Sequence, residues 1–174
     1  MSDPHSPPPW GGRSDSRSEP GEGAVSETAA PSSAMPRPAD TGPPGGLQHS
    51  LAQRRIIRFE PGHATIEYEV LPAMCHSGGV AQGGFVAGWI DAAMAHAVMA
   101  KFGTSRVPIS LELKVSYFAP ANPGRVLAEA WIEKAGGRTL FAEGRLTTLD
   151  GKVLAKASST ISLIDAAKVA AKMI

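Results

Sequence analysis

The stretch from Phe85 to Phe102, FVAGWIDAAMAHAVMAKF, limits the possible folds more than any other part of the chain. Only Asp91, His96 and Lys101 are polar in it, and Gly103 is a natural stop, so its 18 residues predict a helix of about 27 Å. A helix that is apolar nearly all round belongs inside a core. The runs on either side supply strands to surround it. RRIIRFEPGHATIEYEV reads as a hairpin turning at Glu60-Pro61-Gly62-His63, with Ala64, Ile66, Tyr68 and Val70 alternating with polar partners. Downstream come four β segments, ISLELKVSYFAPA, RVLAEAWIEKAGG, RTLFAEGRLTTLD and KVLAKASSTISLI. They are joined by Asn122-Pro123-Gly124, Gly136-Gly137 and Asp150-Gly151, which predicts an antiparallel meander. A short amphipathic stretch, LQHSLAQ, precedes the hairpin, and DAAKVAAKMI predicts a terminal helix with Asp165 near its start. The expected architecture is an α+β domain in which a curved antiparallel sheet wraps around one long central helix.

Order is expected from Leu47, giving a domain over residues 47–174. Residues 1–46 hold ten of the fifteen prolines and almost no large apolar side chains, so they are expected to be a disordered tail rich in Pro, Gly and Ser. The opening residues lack the apolar segment of a signal peptide. A formal charge of +1 with no block of like charges gives no basic footprint for nucleic acid. The longest apolar run is broken by Asp91 and His96, so no membrane span is expected. One cysteine, Cys75, cannot form an intramolecular disulfide and sits comfortably in a reducing cytoplasm.

Asp91 is the residue that the helix has to explain. Burying an unpaired carboxylate is costly or drives its pKa upward, so the position has a specific partner or is kept for chemistry as a base or nucleophile. Gly83 and Gly84 stand where the preceding loop becomes the helix. The first amides of a helix have no intrahelical acceptor and the macrodipole adds positive potential there, while glycine allows close approach. An oxygen placed against the Gly83 N–H would be stabilised as it becomes an oxyanion. The plainer alternatives are a tight turn for the glycines and a pairing role for Asp91.

These features together resemble the hotdog fold, in particular the acyl-CoA thioesterases of the phenylacetic-acid-degradation type. The family loop Asn-x-x-Gly-x-x-His-Gly-Gly is matched by His76-Ser-Gly-Gly79-Val-Ala-Gln82-Gly83-Gly84, and Asp91 lies at the family's distance of nine residues after Gln82. His76 stands in place of Asn, and Gln82 in place of His. The downstream ISLELKVSYFAPANPGRVLAEAWIEKAGGRT is similar to the family's strand, its Pro-containing turn and its Gly-Arg step. The resemblance implies Asp91 as base or nucleophile, Gly83 as oxyanion donor, Gln82 in support, and Ser110 as the hydroxyl that orients water or acid. It also implies substrate contacts from His76 and Gly84, a site shared between two subunits of a homodimer or of a dimer of dimers, and an acyl-CoA substrate. Arg106, Arg125 and Arg138 are loop or strand-end arginines able to meet coenzyme A phosphates, with Arg138 in the Gly-Arg step the best placed.

Other chemistries fit the spacing less well. Asp91 and His96 are about 140° apart on a helix, so they share no face. Cys75 and His76 are neighbours that point apart, and the histidines lack metal-ligand spacing, so neither a metal nor a cofactor is expected. The alternatives to hydrolysis are a non-catalytic acyl-CoA-binding protein and, less favoured, a hotdog hydratase or dehydratase.

Overall fold

The structure, a computed structural model, describes residues 37–171. The expected tail lies outside the described residues as far as residue 36. Its last part, residues 37–46, does not behave as a loose leader. The Asp40 carboxylate accepts the Ile56 N–H at 2.9 Å, the Asp40 carbonyl accepts from Gln53 Nε2 at 2.7 Å, and the Arg37 guanidinium donates to the Ile56 carbonyl. Local sequence misses this, because the partners are contributed by a strand that follows.

The elements are α1 (Leu47–Ser50), β1 (Gln53–Glu60), β2 (His63–Val70), α2 (Gly83–Phe102), β3 (Arg106–Tyr117), β4 (Gly124–Ala135), β5 (Thr139–Thr148), β6 (Val153–Asp165) and α3 (Ala166–Ala170). Single-turn 3-10 helices follow β2 at Pro72–Met74 and α2 at Gly103–Ser105. Gly103 adopts φ +68° and closes α2, and Asp165 Oδ1 caps α3 by accepting the Ala167 N–H at 2.9 Å. The strands form one antiparallel sheet in the order β1-β2-β4-β5-β6-β3, with α2 against one face: the α+β hotdog architecture.

One part of the strand expectation is corrected. The meander holds for β4, β5 and β6, but β3 pairs with β6 and not with β4, whose other neighbour is β2. Asn122-Pro123-Gly124 is therefore the end of a crossover from one sheet edge to the middle. A turn signal reports that the chain bends, not which strand it joins afterwards. Pro108 did carry the information, since a proline inside a strand belongs at an edge, and β3 is an edge.

The sheet wraps around the long central helix as expected, from one side. Val86, Trp89, Ile90, Ala93, Met94, Ala97 and Val98 are buried against the sheet, whereas Gly88, Asp91, Ala95 and Met99 are only half-buried and Gly84 is exposed. The helix is apolar all round, yet the sheet of a single chain covers one side only. Close packing on that side is set at Gly144 of β5, where an added Cβ would lie 2.7 Å from Ile90 Cγ2 and 3.1 Å from the Glu129 carbonyl. Trp89 is anchored at its polar end by donating to the Leu51 carbonyl at 2.9 Å, and its ring stacks on Tyr68.

His96 is buried beside Phe59, with Nδ1 2.7 Å from the Ala92 carbonyl. Burial holds its pKa below the ordinary 6.5, with the Ala92 contact opposing the shift. The unfolded chain therefore takes up this proton first as the pH falls, so folding stability drops below about pH 6.5. Urea midpoints at pH 7.5 and 5.5 are expected to differ less in His96→Gln than in the parent. Gly144→Ala is expected to lower stability by about 1–3 kcal/mol, read from the same titrations, because neither the strand backbone nor the Ile90 branch can retreat freely.

Candidate functional site

The loop from Cys75 to Gln82 delivers the chain to the start of α2 and is fastened at several points. His76 N–H meets the Val80 carbonyl, Gly79 N–H the His76 carbonyl, Ala81 N–H the Ala121 carbonyl and Gln82 N–H the Met74 carbonyl, all at 2.9–3.0 Å. The Gly79 turn needs φ +74°, which suits glycine. His76 Nδ1 accepts the Gly78 N–H at 3.0 Å, so in neutral His76 the ring proton is on Nε2.

At the helix start the amides are allocated unevenly. Gln82 is the N-cap, and its Oε1 accepts the Gly84 N–H at 2.6 Å; the Phe85 N–H reaches the Gln82 carbonyl at 2.9 Å. Among the described residues the Gly83 N–H is left without an acceptor. Gly83 lines a groove of about 570 Å³ whose walls also include His76, Gln82, Gly84, Val86, Tyr117 and Pro120. Gly83, Gln82, Gly84 and His76 thus line one groove. Gln82 caps the helix with its side-chain oxygen.

Asp91 is two turns further along α2. Its Oδ1 accepts a hydrogen bond from Ser110 Oγ at 2.7 Å. Ser110 points at the helix next to a bulge in β3 between Ser110 and Glu112, which re-aims the strand locally. The carboxylate is half-buried rather than sealed in the core. Asp91 is eight residues from Gly83, about 12 Å along the helix axis, so within one chain it does not line the Gly83 groove. The Asp91–Ser110 pair and the Gly83 groove therefore lie apart within one chain.

The arginines are placed elsewhere. Arg138 is exposed in the β4–β5 turn, at the end of the sheet opposite the Gly83 groove, and the structure does not bring it to that groove within one chain. Arg125 is engaged on the outer sheet face, 3.5 Å from the buried carboxylate of Glu67, which Arg55 also holds at 2.9 Å. His96 belongs to the core. Among the described residues no group of three or more His, Cys, Asp or Glu side chains is arranged to hold a metal. No described helix is long and apolar enough to cross a membrane.

Tyr117 is the groove residue that sequence reasoning did not single out. It closes β3, and its hydroxyl donates to the Gly83 carbonyl at 2.9 Å. The only sequence signal was an aromatic residue where a strand runs into a proline-bearing loop.

The Thioesterase superfamily model matches residues 78–155, a span that begins in the loop, contains Asp91 and Ser110 and ends in β6. The chain has the hotdog fold and over that span resembles the thioesterase superfamily. It is similar to a phenylacetic acid degradation-related protein from Ralstonia eutropha, with 26% identity over 70% of this chain and 92% of that one, at a TM-score of 0.63. It is similar to a variant of the phenylacetic acid degradation protein PaaI from Thermus thermophilus, with 26% identity over 66% and 95% of the two chains, at a TM-score of 0.59. A hypothetical thioesterase protein with coenzyme A from Streptococcus pneumoniae shares the fold, with 17% identity over 64% and 85% and a TM-score of 0.60. No curated protein matches the sequence.

Removing the N-cap tests the architecture of the loop independently of chemistry. Gln82→Ala is expected to destabilise the chain by about 1 kcal/mol in thermal or urea unfolding, as loss of a helix cap does.

Proposed function

We propose that the protein is an acyl-CoA thioesterase acting as a homodimer or a dimer of dimers, with each site assembled from two copies. The observation that carries this reading is the Asp91 carboxylate, held by Ser110 at 2.7 Å on a helix face that its own sheet leaves half open. An aspartate kept only for structure would be expected to find its partners and be closed over. Two features support assembly. Among the described residues β3 is a free edge of 12 residues with Ile109, Leu111, Tyr117 and the adjoining Phe118 exposed, and free strand edges invite pairing with another strand. Beside it runs the open side of α2, lined with Gly84, Gly88, Ala95 and Met99. Pairing of β3 with β3 of a second copy about a two-fold axis would set the open helix sides facing, and with them Asp91 of one copy towards the Gly83 amide of the other.

In the reaction, the thioester oxygen faces the free Gly83 N–H. Water attacks the carbonyl carbon while Asp91 takes its proton; the tetrahedral oxyanion then collapses, the carbon–sulfur bond breaks, and the thiolate leaves as coenzyme A with the proton returned. Ser110 holds the carboxylate in line. Direct attack by Asp91, giving an anhydride that water then opens, uses the same atoms. A single turnover in ¹⁸O-water tests this: the base mechanism puts the label in the product acid, whereas an anhydride opened by water at the Asp91 carboxyl carbon puts it in the enzyme and leaves the product acid unlabelled. The groove at Gly83 and the Arg138 side chain of either copy are candidate contacts for the substrate, and the same fold accommodates coenzyme A in the Streptococcus pneumoniae protein.

Purified full-length protein is expected to release free thiol from a panel of short, medium and aromatic acyl-CoAs. Asp91→Ala is expected to lower kcat by about 10²–10⁴-fold and Ser110→Ala by less. Saturable acyl-CoA binding without thiol release would turn the assignment to a binding protein, and loss of the conjugated double bond of an enoyl-CoA without thiol release would turn it to a hydratase.

A further inference from the structure

We infer that Tyr117 is a positioning residue for the glycine peptide at the mouth of α2, so that the single strand β3 fixes both halves of the reaction site. The inference rests on the thioesterase reading of the site. Gly83 and Gly84 have no Cβ to restrict their backbone, and the freedom that admits a thioester also leaves the donor peptide soft. A donor is useful only if it is aimed before the oxyanion forms, since electrostatic stabilisation depends on groups already in place. Gln82 restrains this turn from within by holding the Gly84 N–H at 2.6 Å. The restraint from outside is Tyr117, whose hydroxyl donates to the Gly83 carbonyl at 2.9 Å.

The ring contributes as well as the hydroxyl. A Cβ placed on Gly83 would sit 3.1 Å from Tyr117 Oη and 3.3 Å from its Cζ, so the phenol seats directly over the glycine α-carbon. The carbonyl that accepts this bond belongs to the same peptide as the Gly84 N–H, and hydrogen bonds at the two ends of a peptide polarise one another. Tyr117 is 55% exposed and shares the groove wall with Gly83, so the contact is made at the site itself and not in the core.

Seven residues earlier on the same strand, Ser110 holds Asp91. β3 therefore touches the oxyanion half of one site through Tyr117 and the acid of another through Ser110. Movement of this edge strand displaces both groups together, which couples the integrity of the site to whatever covers the edge.

The test uses full-length protein with Tyr117→Phe, which keeps the ring and removes only the hydroxyl, and Tyr117→Leu, which removes both. Thiol release gives kcat and KM for an acyl-CoA that the parent hydrolyses, and ¹⁵N-resolved NMR follows the Gly84 amide. Tyr117→Phe is expected to lower kcat about two- to tenfold, the worth of one hydrogen bond, with KM within twofold and an unchanged melting temperature. The Gly84 nitrogen resonance is expected to move upfield. Unchanged kcat and an unchanged Gly84 resonance in Tyr117→Phe overturn the inference, as does a loss confined to Tyr117→Leu, which would assign the ring a packing role alone. If the parent hydrolyses none of the panel, the thioesterase reading falls, and the Gly84 resonance by itself decides whether Tyr117 holds the peptide.

Discussion

The seat of α2 on the sheet at Gly144 is the contact on which the rest of the structure depends. With no side chain on that residue, Ile90 comes close to the β5 backbone, and the rotation of the helix follows from it. Once Ile90 faces the sheet, so do Val86, Trp89, Ala93, Met94 and Ala97, at helical spacings. Gly84, Gly88, Asp91 and Ala95 turn to the other side by the same geometry. The carboxylate is thus spared full burial by the packing of its neighbour. Its hydrogen bond to Ser110 then ties the half-open side of the helix to the outermost strand.

The two edges of the sheet are treated differently. At β1 the Ile56 N–H and C=O are met by Asp40 and Arg37, side chains that stand in for the peptide of a neighbouring strand. Such blocking is how sheets avoid uncontrolled pairing. At β3 the described chain provides no equivalent, and that strand carries exposed apolar side chains together with Ser110 and Tyr117. An edge left open in this way fits a chain whose site is completed by its own copy.

Asp91 and Gly83 were legible as candidates because each has a local signature, a charge in an apolar run and glycines before a helix, while Ser110 came only from the family resemblance. Their relation was not. Asp91 and Gly83 share one helix, yet helical rise keeps them apart within one chain, and bringing such groups together falls to the second copy in the proposed assembly. Tyr117 escaped notice because its importance lies in the 34 residues between its hydroxyl and the Gly83 carbonyl, a contact that exists only after β3 returns to the helix start. Arg138 was chosen for the chemistry of a guanidinium, and its position at the far end of the sheet follows from strand direction, which composition does not encode.

The sequence by itself determined the inventory: one long apolar helix, alternating strands, the bend positions, and a carboxylate and a glycine pair in the register of the thioesterase superfamily. Periodicity and spacing are properties of adjacent residues, so they survive without coordinates. The tertiary structure alone decided that β3 pairs with β6, that only one side of the helix is covered, and that Tyr117 meets Gly83. Each of these is a contact between segments far apart in the chain, selected by which packing of the whole sheet buries the most apolar surface while pairing its backbone.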